Sequence, residues 1–90
     1  MPRYKFQMRF TDRFVEDDEG AAFSDLHAAS SDAANVILEV VAEQLRSERN
    51  VDLVGITVIT EIGTVAAHIE TADVLAGAIH LLVARIGSPY

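Results

Sequence analysis

Arg3-Tyr4-Lys5-Phe6-Gln7-Met8-Arg9-Phe10 decides the fold. Apolar and polar residues alternate without a break, so Tyr4, Phe6, Met8 and Phe10 share one face while Arg3, Lys5, Gln7 and Arg9 share the other. A period of two over eight residues is the pattern of a half-buried β-strand. It implies an antiparallel sheet with one dry face, and it gathers positive charge at the start of a chain whose net charge is -7.

Working outward, Thr11-Asp12 suits a tight turn, and Arg13 to Glu16 is expected to pair back with Phe14 on the dry face. The run Asp17-Asp18-Glu19-Gly20 reads as a turn in which Gly20 takes a positive φ, and Ala21 to Phe23 leaves it extended. A first helix follows, capped by Ser24, or by Ser30 or Ser31 if residues 24–29 form only a turn. Its polar side is Asp32, Asn35, Glu39, Glu43 and Arg46, and Ala33, Ile37, Val40, Val41 and Leu45 are expected to face the sheet. The polar run Ser47-Glu48-Arg49-Asn50 ends it. Val51 to Thr60 is rich in β-branched residues and apolar on both alternating sets, which predicts a central strand covered on two sides. Gly63 turns the chain into Thr64 to Glu70, with Val65, Ala67 and Ile69 expected on one face and His68 and Glu70 on the other.

The last element is a helix capped by Thr71 with Asp73 in its first turn. From Val74 onward Leu75, Ala78, Ile79, Leu81, Leu82, Val83 and Ile86 leave it little polar surface beyond Asp73, His80 and Arg85. Such a helix requires burial on more than one side. It covers the side of the sheet opposite the first helix, or Leu75, Ile79, Leu82 and Ile86 anchor an interface, or it does both. Ala72, Ala76, Gly77 and Ala84 would permit close helix approach in a two-fold pair. The expected architecture is one α+β domain over residues 1–90, of order ββαββα, with an antiparallel sheet, an amphipathic central helix and an apolar C-terminal helix.

Composition narrows the function classes. Ninety residues, half of them hydrophobic and 23% charged, suit one compact domain. A chain this short buries only about 60 to 65% of the surface its unfolded form exposes, so its stability margin is narrow. The absence of cysteine excludes disulfide staples, thiolate metal sites and thiol catalysis, and it fits a reducing cytoplasm. Arg3, Lys5 and Arg9 interrupt any apolar leader, and the run from Val74 to Ala84 is too short to span a bilayer. A nucleic-acid surface is not expected, because the balance is acidic and the aromatics of the first strand oppose its charges. Self-association, a dimer in particular, is the expected partnership, with a further protein partner open.

The sequence names no chemistry. His27, His68 and His80 fall on three elements without metal-ligand spacing, and His68 with Glu70 supplies only two ligands. Placing Gly20 at the sixth position of a calcium loop puts Val15 first and Leu26 twelfth, which rules out an EF-hand. Ser30 and Ser31 near His27 lack a nucleophile elbow and are better explained by helix capping. Gly55 and Gly63 are isolated, so there is no phosphate-cradling loop. No catalytic, cofactor-binding or metal residue is assigned, and the expectation is a non-enzymatic protein. A small enzyme would need a pocket holding His68 or His80 beside a carboxylate.

Met1-Pro2-Arg3-Tyr4 with Phe6, Asp18-Glu19-Gly20, and Asp25-Leu26 with Ala28-Ala29 resemble a family of short bacterial proteins classed only as a domain of unknown function. The resemblance covers roughly residues 1–70 and implies an opening strand, an Asp-Glu-Gly turn, an Asp-Leu step into a helix and a closing Gly-turn hairpin. Ser24 stands where that family has proline, and the C-terminal helix here is longer and more apolar. The family supplies no catalytic residue. Residues 17 to 45 are also similar to antitoxin domains of the HicB type, without the Gly-containing strand those domains insert before the helix, and this implies an alternative role as a regulator masking a protein partner.

Overall fold

The computed structural model describes residues 1–47 and 49–86, with side chains for all of these up to His80. The chain forms β1 (Arg3–Phe10), β2 (Phe14–Glu16), β3 (Ala21–Ala22), α1 (Leu26–Arg46), β4 (Leu53–Thr60), β5 (Val65–Glu70) and α2 (Thr71–Ile86). This is the expected α+β order with one addition, the two-residue strand β3. The sheet runs β2-β1-β4-β5 and is antiparallel throughout, with β3 sharing β1's outer edge. Arg3 and Tyr4 pair with β3, and Gln7 to Arg9 pair with β2, so one β1 edge is covered by two short pieces joined through the acidic turn.

The core lies on the face that Tyr4, Phe6, Met8 and Phe10 present. Ala29, Ala33, Ile37 and Val41 of α1 pack there on Leu53, Ile56 and Val58, and the cluster is completed by half-buried Phe23, Val36, Val40, Ala67, Ile69, Val74 and Leu75. Phe23 stacks on Phe6 at 5.8 Å between ring centroids and tilts over Tyr4 at 6.3 Å. The extended segment after the acidic turn thus closes one end of the core. Gly20 makes that return possible: its φ is 72°, and a β-carbon there would sit 2.7 Å from the Tyr4 carbonyl oxygen.

Both helices occupy this one face, since α2 touches α1, β4 and β5 and sends Val74 and Leu75 into the same cluster. The alternative in which α2 covers the opposite side is therefore corrected. The two-sided apolarity of β4 has another cause. Between Arg9 and Phe10 the β1–β4 register shifts, so Phe10 faces Leu53 while Arg9 faces Gly55. Val54 is the extra residue of a bulge, and the shift returns Leu53 to the helix side with Ile56 and Val58. A second shift between Val58 and Ile59 leaves Ala66 unpaired and moves Val65 beside Ile59 on the opposite face. Val65 was expected beside Ala67 and Ile69. Phe14 needs the same correction: it pairs with Arg9 and stands 67% exposed on the polar face, whereas Val15 pairs with Met8.

The helix starts also differ from expectation. Asp25, not Ser24, caps α1, with its Oδ1 accepting from the Ala28 N–H at 2.8 Å. Thr71 is the first residue of α2 and its buried Oγ1 has no partner among the described residues, so it does not cap, while Asp73 does lie in the first turn. Replacement of Asp25 by Ala is expected to cost about 1 kcal/mol in chemical denaturation, with Ser24→Ala near neutral. The opposite ranking would return the cap to Ser24.

Candidate functional site

No helix covers the second face of the sheet among the described residues, and its polar groups are ordered by one another. From β1 it receives Arg3, Lys5, Gln7 and Arg9; from β4, Gly55, Thr57 and Ile59; from β5, Val65, His68 and Glu70. Arg9 reaches across β4 and donates to Glu70 Oε1 at 2.7 Å. The crossing depends on Gly55, where a β-carbon would lie 2.6 Å from the Arg9 guanidinium. Beside it, Thr57 Oγ1 and His68 Nδ1 lie 3.0 Å apart, and Thr57 is buried beneath its longer neighbours. His68 and Glu70, weighed from the sequence as two metal ligands, each already hold a protein partner. Among the described residues no three His, Cys, Asp or Glu side chains form a metal-binding group.

A second polar cluster joins the far end of the sheet to the end of α1. Gln44 is buried and donates to Asp52 Oδ1 at 2.7 Å, while Arg13 donates to Asp52 Oδ2 at 3.2 Å and to Asp12 at 2.8 Å. The Arg13 guanidinium also lies 4.0 Å from the centroid of the Phe10 ring. The Gln44 amide, followed by Arg13, holds the Asp52 carboxyl below its ordinary value. On the last turn of α1, Arg46 and then Ser47 do the same for Glu43. Both groups bind protons less readily when folded, so their contribution is full above the unfolded carboxylate range and is lost as pH falls through the folded values. Asp52→Asn should therefore differ from the parent in stability at neutral pH, and the gap should close on acidification below about pH 4. An unchanged gap from pH 7 to pH 3 in urea titrations would remove Asp52 from the cluster's energetics.

Two open clefts lie among the described residues. One of about 380 Å³ is lined by Pro2, Arg3, Tyr4, Thr60, Glu61, Ile62 and Thr64, and one of about 270 Å³ lies between Phe10, Arg13 and the Glu39 to Gln44 face of α1. Neither contains His68 or His80, the residues an enzymatic reading requires beside a carboxylate.

The predicted interface residues separate. Leu75 is half-buried against the core, Ile79 is 61% exposed, and the side chains of Leu82 and Ile86 lie outside those described. Ala72, Ala76, Gly77 and His80 accompany Ile79 at the surface, and a β-carbon on Gly77 would meet nothing within 4 Å. No described helix is long and apolar enough to cross a membrane.

A two-layer α+β domain with both helices on one sheet face and an ordered polar surface on the other is the class these features define. The chain belongs to the family described as a domain of unknown function, DUF6894, which matches residues 3–79. No curated protein and no solved structure matches the chain.

Proposed function

We propose that the chain is a non-enzymatic cytoplasmic interaction domain that works as a homodimer, with α2 in the interface. The observation that carries this reading is Ile79, a large apolar side chain 61% exposed at the flank of the helix face that Val74 and Leu75 commit to the core. Beside it, roughly 20° and 60° around the helix, the small residues Ala72 and Ala76 keep the surface low, which lets a second helix approach closely. Light scattering across a dilution series should give twice the chain mass at high concentration. Ile79→Asp should weaken the dimer by more than about tenfold with the far-UV circular dichroism unchanged, because an exposed position carries little folding energy. A parent chain that stays monomeric at every concentration ends this reading.

An antitoxin-like regulator is the second reading, supported by the exposed acidic turn Asp17-Asp18-Glu19 that precedes the Asp25-capped helix. A partner masked there would be basic. Co-expression with a small basic protein encoded beside this chain should then yield a stable complex lost on charge reversal of Asp18 and Glu19. Separate elution of the two proteins would dismiss it.

A further inference from the structure

The two edges of the sheet are built differently. On one side β1 is covered by β2 and β3, three and two residues long, and between them the chain presents Asp17, Asp18 and Glu19. Short pieces and clustered charge are the usual means of keeping another strand away. On the other side β5 runs six residues, Val65-Ala66-Ala67-His68-Ile69-Glu70, with no lysine, no proline and no strand beyond it among the described residues.

The hydrogen bonds of the β4–β5 turn fix which backbone groups that edge offers. The Thr60 N–H donates to the Thr64 carbonyl at 2.8 Å, and the Thr60 carbonyl accepts from the Gly63 N–H at 2.9 Å, so Thr60 directs its backbone toward β5. Counting back in twos along the unshifted part of β4, Val58 and Ile56 do the same. Their partners Ala67 and Ile69 point inward, which leaves the N–H and C=O of His68 directed away from the sheet. Glu70, the one carboxylate on this strand, is engaged by Arg9 at 2.7 Å, so its charge is partly neutralised at the edge.

We propose that a second copy of this chain pairs antiparallel along the outer edge of β5, joining the two sheets into one. The inference rests on the self-association proposed above and names its geometry. An extended segment satisfies outward N–H and C=O groups such as those of His68, and two identical edges satisfy one another about a two-fold axis. An axis perpendicular to the sheet keeps both helical layers on one side. It places the two α2 helices, each emerging directly from its β5 strand, on the same side of the joined sheet, and it makes the two Arg9–Glu70 faces one continuous polar surface.

Two measurements test this on the whole chain. In amide hydrogen exchange, the His68 N–H should be protected at least about tenfold more at dimer-forming concentration than after dilution, while Ala67 and Ile69 stay protected at both. In light scattering, His68→Pro should shift the chain to monomer, because proline removes the outward donor at a position where an edge strand tolerates it. His68→Ala, which loses the Thr57 contact but keeps the N–H, should remain a dimer. The exchange measurement needs no substitution, so it decides the matter even where the proline variant fails to fold. A dimer whose His68 amide exchanges at the dilute-chain rate overturns the edge pairing and leaves self-association through α2 standing. A chain monomeric at all concentrations overturns both.

Discussion

Gly55→Ala is expected to destabilise the chain by about 2 kcal/mol, lowering the thermal midpoint by about 10 °C. Local propensity points the other way, since alanine in a strand interior is favoured over glycine by roughly 0.5 to 1 kcal/mol. The structure decides between them. A β-carbon at this position would lie 2.5 Å from the Ile69 carbonyl oxygen, 2.6 Å from the Arg9 guanidinium and 3.2 Å from the Glu70 α-carbon. The guanidinium is the end of a flexible side chain and can withdraw, at the expense of its pairing with Glu70. The Ile69 carbonyl belongs to the β4–β5 ladder and cannot move without loosening it. Arg9→Ala in the same chain should therefore recover only the smaller part of the loss. A Gly55→Ala midpoint equal to or above the parent's would show that the Ile69 carbonyl does not close on this position, and the tight β4–β5 approach would be overturned.

Residues that obey one period were legible in the sequence, and residues where the period breaks were not. β1 alternates without a fault and its limits are those read from the sequence, Arg3 to Phe10. β4 and β5 each carry one additional residue, Val54 and Ala66, and a single insertion sends every residue beyond it to the other face. Val65 was misplaced for that reason, and the apolarity of both alternating sets from Val51 to Thr60 was read as cover on two sides. Nothing local marks either bulge, because both arise from pairing with another strand. The same distance hid the polar face. Arg9 and Glu70 stand 61 positions apart, and Gly55, isolated in sequence and without a phosphate-loop role, acquires its meaning only between them. Helix capping failed at closer range: Ser24 and Asp25 are both good caps, and the choice was made by the Ala28 N–H that Asp25 reaches.

Ile37→Ala is expected to cost about 3 to 4 kcal/mol, and Leu45→Ala less than about 0.5 kcal/mol, although both lie on the apolar side assigned to α1 from the sequence. Eight residues at about 100° each place Leu45 roughly 80° around the helix from Ile37, whereas Gln44 falls within roughly 20° of it. The helix accordingly buries Ala29, Ala33, Ile37, Val41 and Gln44, and leaves Leu45 63% exposed. A polar amide at the last buried position is tolerated because its Nε2 reaches Asp52. Ile37 has no accessible surface and packs in the cluster that holds Ile56 and Val58, so truncation leaves a cavity its neighbours fill only in part. For a 90-residue domain with a total stability of about 5 to 10 kcal/mol, that loss is a third or more of the whole, and the midpoint should fall by about 20 °C. Leu45→Ala removes a side chain already in water and leaves helix propensity unchanged or improved. Urea unfolding of the two variants beside the parent checks the pair. Comparable losses at both positions would mean that α1 is rotated toward the Leu45 side, and Gln44 would then leave the core and release Asp52.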